Sequence, residues 1–110
     1  MSSEGAMTHQ SYAKATVEMA KEYTSFVCGF ISTTAVCTDD PRFLHFTPGV
    51  SLEDNADGFG QRYLSPEEVI KNRGCDIIIV GRGIYQAKDP VEAAKAYQEA
   101  GYKAYLESLP

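Results

Sequence analysis

Cysteine is scarce in this 110-residue chain and badly spaced for bonding: Cys28, Cys37 and Cys75 are odd in number and form no CxxC pair. That excludes a disulfide framework and a thiolate metal site, and the three read as reduced thiols of a cytosolic protein. Histidine is scarcer still. His9 and His45 stand on different segments, so a structural role is expected for each, and no spacing of Asp or Glu suggests a metal site. Basic runs are missing, and the formal charge of −5 with a pI near 4.9 argues against nucleic acid, whose backbone wants a basic face. No apolar run approaches the roughly 20 residues of a membrane span. The opening MSSEGAMTHQ lacks the charged and then apolar regions of a secretory signal. No internal repeat, linker or low-complexity tract is visible. These absences lead to the expectation of a soluble, cytoplasmic chain with no nucleic-acid or membrane partner.

What is present can bury a core: 44% of the residues are hydrophobic and 11% aromatic, so disorder is not expected. The length suits one small domain or a piece of a larger one. Periodicity predicts a helix over 10–23, with Tyr12, Ala15, Met19, Ala20 and Tyr23 on one face and Lys14, Glu18, Lys21 and Glu22 on the other. FVCGFI (26–31) and the run that starts at Ile77 are apolar on both faces, as in parallel strands covered from both sides. FLHFT (43–47) is a weaker strand closed by Pro48-Gly49, and a long Asp- and Gly-rich loop follows to Tyr63. Ser65, Pro66 and Glu68 have the spacing of a capping box at the head of a short helix ended by Gly74. Asp89-Pro90-Val91-Glu92 repeats that grammar and opens a last helix, with Ala94, Tyr97, Gly101, Ala104 and Tyr105 on its inner stripe.

Helix, strand, strand, helix, strand, helix is the order of an α/β architecture with parallel pairing and right-handed crossovers. Three short strands leave open edges and a thin core, so the chain reads as part of a larger sheet. The third strand, DIIIVGRGIY (76–85), ends by presenting Arg82 between Gly81 and Gly83. Glycines there let the backbone approach a ligand, and a guanidinium offers a bidentate partner to phosphate oxygens. A plain turn is the competing reading of the same residues. Gly60-Gln61-Arg62-Tyr63, in the loop after the preceding strand, adds an amide, a guanidinium and a phenol near the same edge. Loops after the last two strands of a barrel often make a phosphate site.

These stretches carry a resemblance. HFTPGVSLEDNADGFGQRY (45–63) and then DIIIVGRGIY, with MSSEGAM and FVCGFIS before them in the same order, resemble the C-terminal portion of the orotidine 5′-monophosphate decarboxylase family. The likeness runs from Met1 nearly to the end and is nearest to the eukaryotic type, including the decarboxylase half of UMP synthase. It implies a lyase of pyrimidine synthesis that turns orotidine 5′-monophosphate (OMP) into UMP and CO₂. It implies a (β/α)₈ TIM barrel acting as a homodimer with no metal or organic cofactor. Residues 1–110 would be the C-terminal portion of that barrel, about strands six to eight with flanking helices, starting at the end of the fifth strand. Arg82, with backbone from Gly81 and Gly83, would hold the nucleotide phosphate together with Tyr63. Gln61 would bridge the phosphate and the pyrimidine, Ser2 would bond the pyrimidine ring, and Ile31 with Pro48 would line the apolar pocket beside the leaving carboxylate.

Two departures follow from the same resemblance. Arg62 stands where the family usually has a second Gln, beside the ligand residues and not among them. More importantly, nothing in the chain matches the family's D-x-K-x-x-D pattern, whose lysine and carboxylates, one of them crossing the dimer, do the chemistry. The expectation is therefore a phosphate and pyrimidine grip that is inactive alone, its partner being the missing N-terminal half of the barrel. Met1 then falls at an internal position, as in a truncation, a partial gene model or a cleaved product. The alternative from another class is a non-catalytic nucleotide-phosphate-binding or self-associating half-barrel. A third reading is a related barrel decarboxylase acting on a sugar phosphate without a base, which would not need Gln61 and Ser2.

Overall fold

Helix α1 (His9–Lys21) packs through Val17 and Ala20, with Ala13 half-buried one turn earlier. Of the predicted stripe only Ala20 lies on the inner face; Tyr12, Ala15, Met19 and Tyr23 are exposed. Small and branched residues at i, i+4 and i+7 let the helix lie close to the sheet, while the long side chains sit at the flank. The computed structural model describes residues 9–53 and 64–110. Of the expected site residues, Ser2, Gln61 and Tyr63 lie outside the described residues.

Three strands follow, β1 (Gly29–Ile31), β2 (Leu44–Thr47) and β3 (Ile77–Ile78), hydrogen-bonded in the order β1-β2-β3. Both pairs are parallel, with Phe30 opposite His45 and Thr47 opposite Ile78, as the α/β reading required. Gly29 is dictated by close approach: a Cβ there would overlap the Leu44 carbonyl. The strands are shorter than the apolar runs that announced them. Phe26 is 89% exposed and Cys28 is exposed ahead of β1; the ladder past Ile78 continues only as Ile79 N–H donating to the Thr47 carbonyl at 2.8 Å.

Cover on both faces, the other expectation, is met on one face only. Phe43, His45 and Thr47 on β2 and its lead-in, with Phe30 beside them, are buried under the helices. On the opposite face Ile31 is 57% exposed, and Leu44, Ile77 and Ile79 are exposed as well. The reason is that α1 and the last helix pack on the same side: Val17 and Ala20 cluster with Phe30, and Gly101 faces Ile78.

Between β2 and β3, Ser65 Oγ accepts the Glu68 amide at 3.0 Å, as a cap should. Glu68 does not close the box. Its carboxylate instead accepts from Asn72 Nδ2 at 2.9 Å and Arg73 Nε at 2.8 Å, and the segment Glu68–Asn72 winds as a π-helix. After β3 comes a four-residue helix, α2 (Arg82–Tyr85), absent from the element order read in the sequence. The Gly81 carbonyl accepts the amides of Ile84 and Tyr85 and so closes its first turn.

Helix α3 (Pro90–Ser108) starts as predicted: Asp89 Oδ1 accepts the Glu92 amide at 3.2 Å and Pro90 takes the first turn. Tyr97 and Ala104 are buried and Ala94 and Gly101 half-buried, but Tyr105 is exposed rather than inward. Two cores result. Val17, Ala20, Phe30, Cys37 and Phe43 form one; Val50, Val69, Ile70, Cys75, Tyr97 and Ala104 form the other. No helix among the described residues is long and apolar enough to cross a membrane.

Candidate functional site

A parallel sheet gathers the carboxyl ends of its strands on one edge, where ligands of open α/β sheets bind. Here Ile31 ends β1, Pro48 follows β2, and Gly81 stands three residues beyond β3. The stretch after β2 and the turn after β3 face each other across a cleft of about 550 Å³. Gly49, Val50, Ser51 and Glu53 form one wall, and Gly81, Arg82 and Gly83 the other. Three of the five expected phosphate residues, the consecutive Gly81, Arg82 and Gly83, thus line this cleft, with Arg82 exposed. Ile31 and Pro48 share the edge but are not part of the wall; Ile31 lies on the uncovered sheet face and Pro48 is half-buried.

The ends of the long loop are pinned beside this cleft. Val50 and Leu64 form a parallel bridge, with the Ser51 amide donating to the Leu64 carbonyl and the Leu64 amide to the Gly49 carbonyl, both at 2.9 Å. Leu64 is the residue that follows Tyr63 in the chain.

Two features of the cleft were not visible in the sequence. One is α2, which follows directly on Gly81. The other is Tyr97, read as a packing residue. Its hydroxyl oxygen accepts the Leu52 amide at 3.0 Å. A Cβ on Gly83 would come within 2.5 Å of that oxygen. Gly83 thus makes room for a tyrosine from α3. No motif links a glycine to a residue 14 positions later, so only the fold could reveal the pair.

Away from the cleft, His45 is buried with its Nε2 accepting the amides of Val36 at 3.1 Å and Cys37 at 3.2 Å. Its Nδ1 faces Asp76 Oδ2 at 3.5 Å, and that same oxygen accepts the His45 amide at 2.8 Å. The role is structural, as anticipated. Asp39 and Asp40 are each held by a cation. Asp39 pairs with Lys21 at 3.0 Å and accepts from Cys37 Sγ at 3.2 Å; Asp40 pairs with Arg42 at 2.7 Å. Lys21, and then the Cys37 thiol, hold the Asp39 carboxyl below its ordinary value, while the Arg42 guanidinium takes Asp40 down to about 2. Burial pushes the Cys37 thiol up, which keeps it protonated and unreactive.

The described cleft offers hydrogen-bond donors and a guanidinium but no lysine or histidine. The Glu53 carboxylate lines the cleft beside them.

The model of the orotidine 5′-phosphate decarboxylase / HUMPS family matches residues 1–97. The chain is 53% identical over 109 residues to uridine 5′-monophosphate synthase of Bos taurus, covering 99% of this chain and 22% of that protein. It is 52% identical over 111 residues to orotidine 5′-phosphate decarboxylase of Phycomyces blakesleeanus, covering 99% of this chain and 42% of that one. With the decarboxylase of Passalora fulva the identity is 46% over 114 residues, 96% of this chain and 41% of that protein. The chain therefore spans less than half the length of these relatives.

Proposed function

The chain belongs to the orotidine 5′-phosphate decarboxylase / HUMPS family, and from that membership we propose that it forms the nucleotide-holding part of a decarboxylase that converts OMP to UMP and CO₂. In this reading the three strands are the sixth to eighth of a TIM barrel, whose other strands supply the lysine and carboxylates of the reaction. The C6–carboxylate bond of OMP breaks, its electron pair stays at C6, and a lysine outside residues 1–110 delivers the proton. Without that network the 110 residues bind and do not decarboxylate. The complete barrel is a homodimer and uses no metal or organic cofactor.

Within the site, Arg82 and the backbone of Gly81 and Gly83 grip the phosphate, with Tyr63 closing on it. Gln61 bridges to the pyrimidine and Ser2 bonds the ring, while Ile31 and Pro48 stand on the apolar side where the carboxylate leaves. The observation that supports this reading is the cleft itself: the Gly49–Glu53 stretch and the Gly81–Gly83 turn share one cavity at the carboxyl ends of neighbouring parallel strands. Titration of UMP into the natural protein that carries this sequence tests it. Arg82→Ala should raise the Kd roughly ten- to a hundredfold, about 1–3 kcal/mol for a lost charged hydrogen-bond partner. An unchanged Kd would refute the phosphate assignment.

A further inference from the structure

We infer that Tyr97 is a positioning residue that sets the spacing of the two cleft walls, an inference that rests on the phosphate-binding reading of Gly81, Arg82 and Gly83. Tyr97 is only 5% exposed, yet its hydroxyl serves a segment remote from its own helix. The oxygen accepts the Leu52 amide at 3.0 Å, on the wall that follows β2. Its ring lies over Gly83, where a Cβ would stand 2.5 Å from the oxygen and 3.1 Å from the carbon that bears it. One phenol therefore touches both walls.

Neither wall is held by a long element of its own. The turn at 81–83 leads into a helix of four residues, and the stretch 51–53 follows a single isolated bridge. Tyr97 instead projects from the nineteen-residue α3, whose register is fixed by the buried Ala104 and the second core. A side chain on a rigid helix positions a site better than loops do. Replacing the phenol by phenyl leaves the Leu52 amide without its acceptor, so that wall shifts to find water. An anion gripped by Gly81, Arg82 and Gly83 against that wall is sensitive to such a shift, because charged hydrogen bonds weaken steeply with distance and angle.

The test is calorimetric titration of the natural protein with UMP and with uridine, which lacks the phosphate, for the wild type, Tyr97→Phe and Arg82→Ala. Tyr97→Phe should weaken UMP binding about tenfold and leave uridine unchanged. Equal weakening of both ligands would mean general loosening and would overturn the positioning role. If Arg82→Ala weakens UMP and Tyr97→Phe does not, the role of Tyr97 falls while the phosphate reading stands. If neither changes UMP affinity, the phosphate reading falls and takes this inference with it. Should Tyr97→Phe fail to fold, amide exchange in the unsubstituted protein decides. UMP should slow exchange at both Leu52 and Gly83; slowing at Gly83 with Leu52 unaffected would overturn the inference.

Discussion

The two sides of the sheet solve the same problem by different means. Both must hold a stretch of chain that has no ladder of its own. On the β1 side the connection from Ser32 to Phe43 contains no helix or strand and is stitched by polar contacts. His45 accepts two of its amides, Lys21 pairs with Asp39, and Thr47 Oγ1 donates to the Ser32 carbonyl at 2.7 Å. On the β3 side the helices do the work. Val69, fully buried, and Tyr97 and Ala104 close an apolar core, and one phenol reaches out to Leu52. The first side spends its polar groups on itself. The second carries Arg82 and its glycine neighbours along the cleft, and that is the side on which binding is proposed.

The sharpest way to break the contrast is a single methyl group at Gly29. Its Cβ would overlap the Leu44 carbonyl, and backbone, unlike a side-chain tip, cannot swing aside. Gly29→Ala should cost about 3 kcal/mol, the upper range for forced overpacking, read as a lowered denaturant midpoint. Amide exchange should show loss of protection in β1 before β3. Retained protection at Phe30 and Ile31 would mean that β1 is not held against β2 as described.

His45 gives the next largest effect. His45→Phe keeps an aromatic ring beside Phe30, whose centroid is 5.6 Å away, but leaves the amides of Val36 and Cys37 without their acceptor. Unsatisfied buried donors cost about 1–3 kcal/mol each, less whatever water reaches the exposed side of the connection. A loss of about 2 kcal/mol in urea unfolding is expected, with affinity for UMP little changed because the stitch lies on the other side of the sheet. A neutral substitution would show that the connection is held by its ion pairs instead.

These contrasts also explain what could be read without coordinates. Parallel pairing was legible because FVCGFI, FLHFT and DIIIV are apolar runs too short for helices, the last two followed by Pro48 and Gly81. The caps at Ser65 and Asp89 were legible because capping is local chemistry. The inner face of α1 was not. Tyr12, Met19 and Tyr23 count as apolar, but nothing in the pattern says which of two overlapping stripes meets the sheet, and Val17 with Ala20 won by fitting closely. The α2 helix was hidden because Arg-Gly-Ile-Tyr holds a glycine, a poor helix former. It owes its turn to the Gly81 carbonyl. Of the site, the Gly81-Arg82-Gly83 wall was legible from its strand, whereas the opposing wall and Tyr97 depend on contacts between segments far apart in the chain.

The smallest effect has the opposite sign and tests the β3 side. Gly101 lies inside α3, and a Cβ there would meet only the Ile78 Cδ1 at 3.5 Å, an ordinary contact. The residue therefore weakens the helix without a packing need, in contrast to Gly29. Gly101→Ala should stabilise the protein by about 0.5–1 kcal/mol through helix propensity, with a small added gain from contact with Ile78. Thermal unfolding should show a higher midpoint. Because α3 carries Tyr97, a stiffer α3 should also leave the UMP affinity unchanged or slightly improved. A lower midpoint would mean that α3 lies closer to β3 than this packing allows, and that the core under the cleft is as tightly closed at Gly101 as the sheet is at Gly29.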